Sequence, residues 1–167
     1  PAGSIPQEAG CPITREVAMK HSHSIRGVLA GKGPQVFAVS PETRVYDALA
    51  LMAERDVGAL VVVADGKPVG IFSERDYARK VILQGKSSRQ IEVREIMSTP
   101  AHCVTPHHTV DDCMSLMTHR RVRHLPVVED DRMVGIVSIG DMVKWIISDH
   151  EDTIEQLENY IQGKYPA

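Results

Sequence analysis

The chain has 167 residues with 19 Lys and Arg against 22 Asp and Glu, a formal charge of -3, so it suits one domain or one intimate pair of half-domains and is not built to coat nucleic acid or an anionic membrane. No apolar run approaches the roughly 20 residues of a membrane-spanning helix, and the N-terminus lacks the succession of a secretory signal, so a soluble cytoplasmic protein is expected. Three cysteines, Cys11, Cys103 and Cys113, make an odd count with no CxxC pair, which disfavours a disulfide framework or zinc ribbon and makes buried reduced thiols the expectation.

Residues 1–23 mix Gly, Pro, Ser and charge without a sustained period and read as a mobile N-terminal extension. Ile25, Val28 and Leu29 form the apolar face of a short lead-in helix, stopped by Gly31-Lys-Gly-Pro34. Val36 to Val39 reads as a short strand ended by Ser40-Pro41. Val45, Leu49, Met52 and Ala53 then fall at the spacing of an amphipathic helix. Leu60 to Val63 and Val69 to Phe72 flank Asp65-Gly66, a hairpin signal, so these strands should pair antiparallel. A second helix opens at Ser73 and runs to about Leu83. The order so far is helix, strand, helix, hairpin, helix.

The same script then repeats. Positions 39–81 reappear without a gap at 104–146, an offset of 65, and roughly 17 of the 43 pairs are identical. The second copy supplies Val110, Met114 and Met117 for a helix, Leu125 to Val128 and Met133 to Val137 for a hairpin, and Asp131-Arg132 for its turn. Between the copies, Gly85 to Arg94 is a polar linker and Val93 to Met97 a short apolar turn. The last helix should run to about Gln162, with Ile147, Ile154, Leu157 and Ile161 as a stripe that needs cover, preferably from a second subunit. Neither copy is large enough to bury a core alone, so the two must press together and leave a cleft between related surfaces.

One motif occurs in both copies: Gly70-Ile-Phe-Ser73-Glu-Arg-Asp76 and Gly135-Ile-Val-Ser138-Ile-Gly-Asp141. Ser-x-x-Asp ahead of a helix is a capping-box variant, in which serine satisfies a free amide and the acid complements the dipole. The same geometry can hold a nucleotide. A helix N-terminus and a hydroxyl attract phosphate, a carboxylate matches two vicinal ribose hydroxyls, and the glycine lets a ligand approach the backbone. Capping and binding are compatible.

The duplicated unit, the paired Gly-apolar-apolar-Ser-x-x-Asp motif and the phrase Arg121-Val-Arg-His-Leu-Pro-Val-Val128 together resemble the tandem CBS-domain family over about residues 25–148. The layout is similar to small stand-alone bacterial members. The resemblance implies an α+β fold of two tandem β-α-β-β-α repeats related by a pseudo-two-fold axis. Its divisions would be 1–23, a first repeat with its lead-in helix at 24–84, a linker at 85–98, a second repeat at 99–148 and a helical extension at 149–167. It further implies a regulatory module, a homodimer that binds an adenosine-containing ligand such as AMP, ADP, ATP, NAD or S-adenosylmethionine between the repeats and signals to an unknown downstream protein. The alternative is an interaction protein of the same fold with vestigial pockets.

Carried onto this chain, the resemblance gives Asp76 and Asp141 to ribose, with Ser73 and Ser138 beside them. Thr99, Ala101 and His102 would touch base and sugar, and Arg123 and His124 would contact phosphate. Their counterparts in the first repeat are Gly58 and Ala59, and Thr99 is matched by Pro34, so the first cleft would borrow charge from Lys32, Arg75 or Arg79. The second cleft is therefore expected to be the better equipped. The bland reading of Arg120, Arg121 and Arg123 is a solvated basic turn.

Other chemistry has less support. Gly27-Val-Leu-Ala-Gly31-Lys32-Gly33 fails the phosphate-loop pattern in both spacing and the missing Ser or Thr. Cys113 and His119, six apart on one helix, point about 240° away from each other, so no metal site is expected. No nucleophile is paired with a base, and an enzyme is not expected.

Overall fold

The computed structural model describes residues 24–161, except the side chains of 153, 156, 157 and 159–161. The expected extension over 1–23 and the last residues of the 149–167 tail lie outside them. Helices α1 (Ile25–Lys32), α2 (Val45–Arg55), α3 (Glu74–Lys80), α4 (Val110–Arg120) and α5 (Ile139–Ile161) alternate with strands β1 (Ala38–Val39), β2 (Ala59–Ala64), β3 (Lys67–Ser73), β4 (His124–Glu129) and β5 (Arg132–Ser138). The class is α+β, as expected.

The duplication reaches the backbone at the same offset. Val39 pairs parallel with Val62, and Val104 with Val127. Both hairpins break register at equivalent places, Val62/Val63 and Val127/Val128. The first repeat builds a three-stranded sheet, β1-β2-β3, whereas the second keeps β4-β5 and reduces the third strand to the single bridge at Val104. The first hairpin turns at Asp65 and Gly66, with φ of 50° and 75°. The second turns at Asp130 and Asp131, φ 49° and 60°, one residue earlier than expected, because Arg132 already pairs with Glu129. Aspartate tolerates the left-handed region through its short polar side chain. Helix α3 stops at Lys80, short of Leu83, and a 3-10 turn at Ile82–Gln84 takes up the remainder.

Each repeat's core is completed by the segment that precedes the other repeat in sequence. Ile25 and Val28 of α1 belong to the core of the second repeat, with Val104, Val110, Met117, Leu125 and Val137. Val93 and Ile96 of the linker belong to the core of the first, with Val45, Met52, Leu60 and Phe72. The backbone makes the exchange reciprocal: Ile25 N donates to His108 O at 2.8 Å, and Val93 N to Thr43 O at 2.9 Å. Ile25 is fully buried, worth about 1.5–3 kcal/mol. Lead-in helix and linker thus fasten the two repeats crosswise.

That exchange also explains the two motif glycines. A Cβ at Gly70 would lie 2.8 Å from Met97 Sδ and 2.9 Å from the Ser98 carbonyl oxygen. At Gly135 it would lie 2.6 Å from Leu29 Cδ2. The space a ligand was expected to use at these glycines is filled by the protein's own crossing segments. A second correction concerns sulfur. Cys103 is disulfide-bonded rather than a reduced thiol. Cys113 is a free, buried thiol.

Candidate ligand-binding site

Both Ser-x-x-Asp motifs cap helices. At α3 the Ser73 hydroxyl accepts from Asp76 N at 3.3 Å while Ser73 N donates to Asp76 Oδ2 at 3.1 Å. At α5 the equivalent distances are 3.2 Å and 2.7 Å. Beyond the cap the two aspartates diverge. Asp76 Oδ2 also accepts from Ser73 Oγ at 2.6 Å, and Oδ1 accepts from Lys80 Nζ at 2.8 Å and Ser98 Oγ at 2.9 Å. Four bonds use the roughly four acceptor positions of a carboxylate, and Asp76 is only 7% exposed. Lys80 also donates to the Ile96 carbonyl at 2.7 Å, tying α3 to the linker.

Asp141 is held on one oxygen. Lys32 Nζ reaches its Oδ2 at 2.6 Å and the Ile136 carbonyl at 3.1 Å. Oδ1 has no hydrogen-bond partner among the described residues. Burial alone would raise the pKa of Asp141, but the hydrogen bonds from Lys32 and Ser138 outweigh it and hold the carboxyl below its ordinary value. In the second repeat Trp145 stands where Lys80 stands in the first, so the cation comes from α1 instead.

Between the repeats lies a cavity of about 550 Å³. From the first repeat its wall takes Gly58, Ser73, Arg75, Asp76, Arg79 and Lys80; from the second, Ala101, His102, Arg121, Arg123, His124 and Ser138. Arg121, at φ 55°, is the left-handed residue that ends α4 and turns the loop of Arg121 to Arg123 toward this space. Ser98, Pro100, Glu74, Ile139 and Gly140 complete the lining with Ile71 and Val122.

Ten residues singled out from sequence therefore converge on one wall: Gly58, Ser73, Arg75, Asp76, Arg79, Ala101, His102, Arg123, His124 and Ser138. Asp141, Thr99, Ala59 and Lys32 do not line it. Thr99 donates its hydroxyl proton to the Val69 carbonyl at 2.9 Å, Ala59 is buried, and Lys32 sits on Asp141 rather than near Asp76. Ala101 and His102 share the cavity with Asp76, the aspartate of the other repeat, because the linker packs onto the first core before the chain enters the second. Sequence reasoning missed Lys80, Ser98 and Glu74. A lysine four residues after the motif aspartate is an i,i+4 pair and could have been found.

His124 is held below its ordinary 6.5, first by burial, then by Lys32 and Arg123, with Asp141 opposing. His102 is lowered by burial and by Arg120. Both imidazoles are thus neutral near pH 7 and present a donor and an acceptor rather than a cation. Burial, with help from Asp112, pushes the Cys113 thiol up to about 12, which makes it inert. No three metal-binding side chains converge among the described residues, and no described helix is long and apolar enough to cross a membrane.

A duplicated α+β unit with paired helix-capping aspartates defines a class, and the comparisons agree. The chain belongs to the CBS-domain family, whose model matches residues 33–82 and 93–148. The mitochondrial CBS domain-containing protein CBSX3 of Arabidopsis thaliana is 40% identical over 168 residues, covering 95% of this chain and 81% of that protein. A solved protein with CBS domains from Burkholderia ambifaria, provisionally assigned to signal transduction, has a TM-score of 0.72 at 44% identity and covers 75% of this chain and 95% of that one. The CBS domain pair of protein MJ0100, solved with 5'-methylthioadenosine and S-adenosyl-L-methionine, shares the fold with a TM-score of 0.66 at 23% identity, over 75% of this chain and 97% of that one.

Proposed function

We infer that the chain is a cytoplasmic regulatory module that binds an adenosine-containing ligand between its two repeats and signals through a homodimer whose arrangement shifts with occupancy. The observation that carries this reading is the cavity wall to which both repeats contribute cations, hydroxyls and neutral imidazoles. A ligand there touches both halves, so it can favour one arrangement of the halves over another, the requirement for any ligand-driven shift. A second subunit would cover Val143, Ile147 and Ile154, which α5 leaves 45%, 53% and 56% exposed. In this reading the protein binds its ligand and does not turn it over.

Isothermal titration with AMP, ATP and NAD tests the reading, run with the parent and with His124→Ala and Arg123→Ala, both residues of the cavity wall. Deleting a buried or charge-assisted hydrogen bond to the ligand should weaken binding by about 1–3 kcal/mol. Equal affinities for parent and both variants would count against it. A second reading, an interaction module with vestigial pockets, is favoured by one observation: the acceptor positions of Asp76 are filled internally by Ser73, Lys80 and Ser98. Thermal shift separates the two readings, because a ligand selective for the folded state must raise its apparent stability.

A further inference from the structure

We propose that the ligand of the inter-repeat cavity is a polyphosphate, a nucleoside di- or triphosphate rather than a monophosphate or a sulfonium nucleoside. This rests on the adenosine reading above and narrows it. Arg75 and Arg79 project from α3 of the first repeat, and Arg121 and Arg123 from the loop before β4 of the second, and all four line the same cavity. None of their side chains makes an ion pair or hydrogen bond among the described residues, whereas Arg26, Arg44, Arg55 and Arg94 are each paired with a glutamate.

The convergence is not repeated elsewhere in the pseudo-symmetric frame. At the offset of 65, Arg75 is matched by Gly140, Arg121 by Asp56 and Arg123 by Gly58. Only Arg79 has a basic counterpart, Lys144. The two repeats thus contribute complementary pairs of arginines to one place, in a chain whose formal charge is -3.

Charge arithmetic sets the ligand class. The acids of the wall are Glu74 and Asp76, and Asp76 is already neutralised by Lys80 at 2.8 Å. Four guanidinium groups then face one free carboxylate, and guanidinium cannot shed its proton to relieve the repulsion. The neighbouring His102 and His124 have been driven toward their neutral forms. A terminal phosphate brings about -1.5 to -2, too little for the surplus, and every inserted phosphoryl unit adds negative charge and acceptor oxygens suited to bidentate arginine contacts. A sulfonium nucleoside brings a further cation and would be repelled.

The test is isothermal titration at fixed ionic strength with AMP, ADP, ATP, S-adenosylmethionine and inorganic tripolyphosphate, on the parent and on Arg79→Gln/Arg121→Gln. For the parent, ATP should bind at least about tenfold tighter than AMP, with ADP between them and S-adenosylmethionine weakest, and tripolyphosphate should compete with ATP. In the double variant the preference of ATP over AMP should shrink to about threefold or less. If AMP matches or exceeds ATP in the parent, the polyphosphate inference is overturned while adenosine binding stands. If tripolyphosphate binds as tightly as ATP, the polyanion site is upheld and the adenosine reading fails. If none of the probes binds, both are overturned.

Discussion

Asp76 and Asp141 occupy the same position of the same motif, 65 residues apart, each capping a helix, yet one is sealed and the other half open. The cap is local and is dictated by Ser-x-x-Asp. What lies beyond the cap depends on residues that differ between the copies. Lys80 folds back onto Asp76 from its own helix, while Trp145 replaces it in the second repeat and Lys32 arrives from α1. Duplication therefore preserved the scaffold and let the two carboxylates diverge in availability. The cavity takes its residues from both sides of that divide: the first repeat's sealed aspartate and the second repeat's arginine loop.

The crosswise fastening gives the largest effect by which the two repeats can be told apart. Ile25→Ala should destabilise by about 2–5 kcal/mol, and amide exchange should accelerate more in β4-β5 than in β2-β3, because Ile25 sits in the second core. Faster exchange in β2-β3 alone would break the crossed arrangement. Next in size, Asp76→Ala should cost about 2–4 kcal/mol, since it strips Lys80, Ser73 and Ser98 of a partly buried partner. Asp141→Ala, with an exposed lysine and one serine amide to lose, should cost about 1–2 kcal/mol. Chemical denaturation checks the order, and a reversal would mean that the sealed site is not the tighter one.

The glycines sharpen the contrast. Gly70→Ala meets the Ser98 carbonyl as well as the Met97 sulfur and should cost about 1–3 kcal/mol. Gly135→Ala meets only the flexible end of Leu29 and should cost less, as melting temperatures will show. The smallest effect is on pH dependence. The folded pKa of His124 lies below its unfolded 6.5, so between the two values the unfolded chain binds more protons. Stability is then full above about 6.5 and is lost as pH falls through the folded pKa. His124→Gln should flatten the decline in melting temperature below pH 6.5. Asp141 has the same sign at lower pH: its depressed folded pKa contributes stability above the unfolded value, lost as pH falls through the folded one.

Much of this is legible in the sequence because it is local or periodic. The hairpin of Leu60 to Phe72, the α2 stripe from Val45 to Met52 and the repeat offset all follow from patterns that backbone geometry enforces. Ten of the residues singled out for a site do share one cavity wall. What stays hidden depends on tertiary routing. That α1 completes the second core and the linker the first is not written in any local pattern, so the sequence alone puts Lys32 with the wrong aspartate and the motif glycines with a ligand.

The most direct measurement is an amide-resolved NMR titration of the protein with ATP. Binding in the inter-repeat cavity should shift the amides of Gly58, Ser73 to Asp76, Ala101 to His102, Arg121 to His124 and Ser138 to Gly140 together, from both repeats and along one saturation curve. Shifts confined to one repeat, or saturation with those amides unmoved, would contradict a site shared by the two halves.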